Sequence, residues 1–107
     1  MSVVVREFTG AVVAQGEFRR GDVVVAATLA AKEDHARFPL LAGVDQYDDT
    51  VFNALQCRRL VDELAALRHG LADDAAAAVD ELGRLARLVI VDGPGQPAHR
   101  RLHFVGD

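Results

Sequence analysis

Residues Phe38 to Asn53 read FPLLAGVDQYDDTVFN, and this stretch joins the N-terminal third of the chain to its helical half. It begins with an apolar block, continues with three aspartates around the only tyrosine, and ends with Val51 and Phe52 before an asparagine suited to starting a helix. Pro39 keeps Phe38 out of a helix, because the proline ring disfavours helical geometry in the preceding residue. The stretch therefore predicts an acidic loop presented between two buried anchors.

The helix that follows this stretch has the clearest start in the sequence. Asn53 and Gln56 have capping-box spacing, and Phe52 and Cys57 occupy the positions of a hydrophobic staple. Apolar residues then recur every three or four residues until His69-Gly70 ends the pattern. The pattern predicts a helix over residues 54–69. Together, the acidic stretch and the start of this helix assign structural roles to five residues: Phe38, Pro39, Phe52, Asn53 and Gln56.

Two further segments favour helices. One begins near Asp73 or Asp74, whose charges suit a helix N-terminus, and continues toward Val89. The short connection before it predicts an antiparallel helix pair. The other spans residues 22–36, where three valines favour a strand and an alanine-rich run with Asp22 as N-cap favours a helix. We interpret it as a helix, because it is longer than a typical strand and lacks strict alternation.

The β structure is predicted at the two ends of the chain. Residues 2–8 and 11–15 surround Thr9-Gly10 and predict a hairpin. The turn-rich run from Gly93 to Pro97 then separates the helices from RLHFV, residues 101–105, which alternates as a strand does. That strand needs the hairpin as its neighbour. The sequence thus predicts a single α+β domain over residues 1–107, with a small antiparallel sheet (N-terminal hairpin plus C-terminal strand) packed against two or three helices.

Composition narrows the class of protein. The 107 residues are 50% hydrophobic and 26% charged, which suits one folded domain and excludes a disordered chain. A net charge of −4 disfavours nucleic acid as a partner. The N-terminal MSVVVREF has neither a signal-peptide nor a membrane-span pattern, so we expect a cytoplasmic protein. The single cysteine, Cys57, excludes an intramolecular disulfide and is expected in the core.

The string FPLLAGVDQYDDTVFNALQ, together with the C-terminal LHFVGD, resembles a family of short actinobacterial proteins. The resemblance implies that this segment is a unit, and it implies no catalytic residue. Small acidic bacterial proteins of this kind are often immunity or antitoxin proteins, which is an analogy of class. The residues that carry the pattern are Val44, Asp45, Tyr47, Asp49, Thr50, Val51, Phe52, Asn53 and Gln56.

The aspartates allow three chemical interpretations. Asp45, Asp48, Asp49 and Asn53 offer oxygen ligands, but their spacing differs from that of a calcium loop. Asp48 or Asp49 as a base with Tyr47 as a donor would need a pocket that a domain of this size hardly provides. Asp45 and Asp49 also suit hydrogen bonds to loop amides. We therefore expect no enzyme activity, no metal and no cofactor.

A protein-binding interpretation remains. Tyr47 combines a rigid ring with a polar tip, and acids on both sides of it would steer a basic partner. Asp45, Tyr47, Asp48 and Asp49 thus predict a small acidic protein-binding module, an immunity- or antitoxin-like inhibitor whose partner is a basic toxin domain. The alternative is a homo-oligomeric scaffold, such as a homodimer, or an accessory subunit. The inhibitor hypothesis expects the loop acids to be exposed, and the scaffold hypothesis expects them to be tied into loop hydrogen bonds.

Two pairs of neighbouring arginines have simpler interpretations than the acidic loop. Arg58-Arg59, followed by Asp62 and Glu63, is interpreted as a salt-bridged helix face. Arg100-Arg101 is a possible small anion contact, although two charges do not form a basic patch.

Overall fold

Strand β1 (Ser2–Arg6) lies inside the sheet in a computed structural model that describes residues 1–18, 22–90 and 99–106. It pairs antiparallel with β2 (Val12–Gln15) on one side. On its other side it pairs antiparallel with the C-terminal strand, Arg101–Val105. The last strand therefore lies beside the first, as the sequence predicts, and the domain is α+β.

The sheet has one strand more than the sequence predicted. Strand β3 (Thr50–Phe52) pairs with the C-terminal strand, β4, and completes the order β2-β1-β4-β3. Phe52 is the register partner of Leu102, and its ring meets that of Phe104 edge to face with centroids 5.8 Å apart. A three-residue strand shows too little alternation to be distinguished from a loop by sequence. The acidic stretch thus ends inside the sheet.

Four helices complete the described part of the chain: α1 (Asp22–Lys32), α2 (Pro39–Ala42), α3 (Ala54–Arg68) and α4 (Asp73–Val89). The ambiguous segment is helical, but it ends four residues before the predicted boundary. The single-turn helix α2 was not predicted. Asp22, the predicted cap, is the first residue of α1, but its side chain lies outside the described part of the structure, as does the predicted turn over residues 93–97.

The helices cover one face of the sheet. Strand alternation directs Val3 and Val5 of β1, with Leu102 and Phe104 of β4, toward the helices, and all four are buried. Helix α4 packs on these strands and also contacts α1 and α3. Its Leu82, Leu85 and Val89 belong to the same buried cluster. No helix in the described part of the chain is long and apolar enough to span a membrane.

The opposite face of the sheet, the outer face, has a different chemistry. By alternation it carries Val4 and Arg6 of β1, Val51 of β3, and Arg101 and His103 of β4. Val4 is buried between its strand neighbours, whereas Val51 and Arg101 are exposed. Charged and apolar side chains are thus mixed on this face.

Candidate functional site

The acidic loop, residues 45–49, connects α2 to β3 and brings together all four residues predicted to bind a partner. Tyr47 is 74% exposed, which is high for a large hydrophobic side chain. Asp45, Asp48 and Asp49 are also exposed. The loop therefore presents an aromatic ring between carboxylates, as the inhibitor hypothesis expects.

The same carboxylates also hold the backbone of the loop. Oδ1 of Asp45 accepts a hydrogen bond from the backbone nitrogen of Tyr47 at 2.8 Å. Oδ1 of Asp48 accepts one from the backbone nitrogen of Asp49, also at 2.8 Å. Short Asp side chains commonly fold turns in this way. Exposure, which the inhibitor hypothesis expects, and loop hydrogen bonding, which the scaffold hypothesis expects, thus occur together.

The C-terminal end of the chain ties the loop to the sheet. Oδ1 of Asp49 accepts a hydrogen bond from the backbone nitrogen of Gly106 at 3.0 Å, across 57 residues of sequence. Gly106 follows β4 and lies against the backbone of Asp48 so closely that a Cβ atom would collide with it. Gly106 belongs to the LHFVGD string, but no sequence pattern assigned it a role. The loop is consequently clamped at its sheet end.

A groove opens beside the loop at its helical end. Nζ of Lys32, at the end of α1, donates a hydrogen bond to the carbonyl oxygen of Val44 at 2.6 Å. The groove between α1, α2 and the loop has a volume of about 390 Å³ and is lined by Leu29, Lys32, Asp45 and Tyr47, among others. Leu29 is 51% exposed. The groove therefore offers apolar surface immediately beside the acidic loop.

Glu63 holds the segment that leads into the loop, and the interpretation of Glu63 as part of a salt-bridged helix face was wrong. The side chain is only 9% exposed. Its carboxylate accepts hydrogen bonds from the backbone nitrogens of Leu40 and Leu41 at 3.1–3.2 Å. These N–H groups belong to the first turn of α2, where they have no acceptor within the helix and where a negative charge is favourable. No local pattern could reveal this, because the partners are 22 and 23 residues apart.

The residues assigned to structural roles occupy the positions that those roles require. Phe38 and Phe52 are both 4% exposed, and Pro39 is the first residue of α2. The capping box is complete, because Asn53 and Gln56 each accept a hydrogen bond from the other's backbone nitrogen at 2.9 Å. Cys57 is fully buried, and burial raises the pKa of its thiol to about 12. The thiol therefore stays protonated, and Cys57 is a core residue.

Within residues 1–18, 22–90 and 99–106, no group of three or more His, Cys, Asp or Glu side chains is arranged to hold a metal ion. No protein-family model, curated protein or solved structure matches the chain. The resemblance to the actinobacterial family therefore stays a prediction.

Proposed function

We propose that the protein is a small acidic protein-binding module that acts as an immunity- or antitoxin-like inhibitor of a bacterial toxin. The observation that carries this proposal is the 74% exposure of Tyr47 on a loop whose backbone is fixed at both ends. A rigid aromatic side chain on a fixed backbone loses little conformational entropy on binding. Tyr47 is therefore the anchor of the proposed interface.

Charge sets the chemistry of the partner. Asp45, Asp48 and Asp49 surround the anchor and are exposed, and the whole chain carries a net charge of −4. Lys32, the cation that lines the neighbouring groove, is engaged with the carbonyl oxygen of Val44. Such an acidic rim steers a basic surface toward the anchor and raises the association rate. The proposed partner is thus a basic toxin domain.

The groove adds a place for a side chain of that partner. Its wall includes the exposed Leu29 and the tyrosine ring, and Asp45 lies at its edge. An arginine or lysine side chain fits this combination, because its apolar stem covers hydrophobic surface while its charged end reaches a carboxylate. A single basic residue of the partner could therefore contact both the groove and the loop.

A homo-oligomeric scaffold or accessory subunit is the second candidate function. The sheet ends in two edge strands, β2 and β3, and Val12 and Val51 on them are 55% and 42% exposed. Edge strands present unpaired backbone groups that can pair with another chain. The hydrogen bonds of the loop carboxylates also agree with a structural role. Catalysis by Asp48 or Asp49 is disfavoured, because both are exposed rather than enclosed in a pocket.

The experiment that tests the inhibitor proposal begins with capture of a partner from the native cell and its purification. The partner is then titrated with wild type, with the double variant Y47A/D48N, and with D62N as a control for loss of an exposed acid on α3. We expect the double variant to lose binding at least about 100-fold, as for an interface anchor, with unchanged unfolding. We expect the wild-type association rate to fall as salt rises from about 0.05 to about 0.3 M.

Two results would count against the inhibitor proposal. If Y47A/D48N binds as wild type does, the loop is structural and the interface belongs on the helical pair. If sedimentation shows a concentration-dependent homodimer and the captured protein does not bind the purified chain, the scaffold function replaces the inhibitor. A toxin gene immediately upstream in many genomes would support the inhibitor.

A further inference from the structure

Two arginines lie directly opposite each other on the outer face of the sheet. Arg6 of β1 and Arg101 of β4 are register partners in an antiparallel pair. Their neighbours Val5 and Leu102 point into the core, so both arginine side chains leave from the outer face. Residues paired in this way have Cβ atoms about 4.5–5.5 Å apart, and like charges at that spacing repel each other.

Within residues 1–18, 22–90 and 99–106, neither guanidinium has a counter-charge that would offset this repulsion. Among the described residues, no carboxylate forms an ion pair with Arg6 or Arg101. The Nε atom of Arg6 is buried and has no hydrogen-bond acceptor. Buried donors nearly always have a partner, and a charged donor without one is destabilising. Arg6 thus lacks an acceptor at its Nε, as Arg100 does at its own.

His103 shows that the positive potential extends along the same face. It lies two residues after Arg101 on β4 and is the register partner of Val4. Burial and then the charge of Arg6 lower the pKa of its imidazole, Asp49 opposes them, and Arg101 lowers the pKa to a smaller extent. The carboxylate of Asp49 is also hydrogen-bonded to Gly106. Arg6, Arg101 and His103 therefore form a basic area on a chain whose net charge is −4.

Arg100 does not belong to this basic area. The neighbouring residues Arg100 and Arg101 therefore have different surroundings. Nη1 of Arg100 donates a hydrogen bond to the carbonyl oxygen of Leu88 at 3.2 Å, in the last turn of α4. A cation is favourable at that end of a helix. Arg101 instead faces Arg6, a residue 95 positions away along the chain.

We propose that Arg6 and Arg101 together bind an oxyanion, a phosphate or carboxylate group, on the outer face of the sheet. Guanidinium groups donate in a planar fork that matches two oxygens of such an anion. One anion between the two side chains would turn their repulsion into attraction and would supply the acceptor that Nε of Arg6 lacks. The site lies about 17 Å along β4 from Gly106 and uses no residue of the acidic loop, so it does not rest on the proposed inhibitor function.

The test measures the melting temperature of the full chain in sodium phosphate and in sodium chloride at matched ionic strength. We expect a saturable rise with phosphate, about 5–10 °C at ten times the dissociation constant for a domain of this size. The variants R6Q and R101Q should each lose the rise, and R6K should keep only part of it because lysine lacks the fork. R59Q, which removes an exposed arginine of α3, should respond as wild type does.

The variants also separate a binding site from a structural arginine pair. In chloride alone, R101Q should melt no lower than wild type, because the substitution removes one of two opposed charges. Sodium acetate in place of phosphate identifies the source of the anion: a rise with acetate that requires both arginines assigns the site to a carboxylate. Amide chemical shifts of Arg6 and Arg101 should move with the same saturation as the melting temperature.

The proposal is overturned by either of two results. One is a melting temperature that neither phosphate nor acetate changes. The other is an equal rise in wild type, R6Q, R101Q and R59Q, which is the general effect of an excluded salt. Neither result bears on Tyr47 or on partner binding, because those are measured with a different protein in a different assay.

Discussion

The carboxylate of Glu63 lies 3.1 Å from the backbone nitrogen of Leu41, so helix α3 caps the start of helix α2. The residue before α2 is Phe38, which has no side-chain acceptor, and the first helical residue is Pro39. A carboxylate from another helix therefore satisfies N–H groups that a local serine or aspartate usually satisfies. Only Gly43 and Val44 separate α2 from the acidic loop, so this contact also helps to fix where the loop starts.

Replacing Glu63 by alanine should lower the free energy of unfolding by about 2–4 kcal/mol, because partly buried N–H groups lose charge-assisted hydrogen bonds. E63Q should lie between alanine and wild type, since an amide oxygen still accepts. D62A removes the exposed acid next to it and should stay within about 0.5 kcal/mol. Urea unfolding measures all three. An E63A curve that overlays wild type would show that α2 does not depend on this cap.

The elements that the sequence predicts well are those whose causes are local. Helix α3 begins at the predicted residue because its capping box lies within four consecutive residues, and both of its hydrogen bonds form. Helix α4 likewise begins at Asp73, and β4 spans the predicted residues. For α3 the interactions that determine the start are made by neighbours in the chain, whereas α4 has no side-chain cap and β4 shows its residue pattern locally but pairs with the distant strand β1.

The parts that the sequence does not reveal depend on distant partners. Strand β3 exists because β4 offers it an edge, and α2 is held by a carboxylate 22 residues away. In the acidic loop, the exposure of Tyr47 was predictable, but the bond from Gly106 to Asp49 was not. Short elements contain too few residues to show a period, so their partners decide their conformation.

Phe52 should be among the residues most sensitive to truncation. It is 4% exposed, and its ring packs edge to face on that of Phe104. F52A should cost about 3–5 kcal/mol of unfolding free energy through lost burial and the cavity left behind. V51A is the matched control, because Val51 is the neighbouring residue of β3 and is 42% exposed, and it should cost less than about 1 kcal/mol. Similar melting temperatures for the two variants would contradict the buried position of Phe52.

The close approach of Gly106 to the acidic loop predicts that even one methyl group is harmful there. A Cβ atom at this position would collide with the backbone of Asp48, which cannot move as a flexible side chain can. G106A should therefore cost about 1–3 kcal/mol and shift the amide resonances of Asp48 and Asp49. G70A is the control, since the nearest atom to its added Cβ is 3.8 Å away, in ordinary contact. Equal stability of the two variants would show that the C-terminal residues do not clamp the loop.

His103 should make the stability of the protein depend on pH in the neutral range. Burial first, then the charge of Arg6 and, to a smaller extent, that of Arg101 hold its pKa below the usual 6.5, against the opposing charge of Asp49. The unfolded chain therefore binds a proton at a higher pH than the folded protein does. The resulting stability is complete above about pH 6.5 and is lost as pH falls from there through the folded pKa, by at most about 1.4 kcal/mol per pH unit for one proton.

Chemical denaturation between pH 5 and 8 measures this dependence in a buffer without phosphate or carboxylate. H103Q should remove the part of the loss that belongs to the imidazole, and R101Q should reduce that part because one repelling charge is gone. R59Q should keep the wild-type slope, since its charge is on α3. If an oxyanion binds between Arg6 and Arg101, adding phosphate should also reduce the wild-type slope, because a negative charge beside His103 favours its protonated form. A slope that H103Q leaves unchanged would assign the pH dependence to other groups.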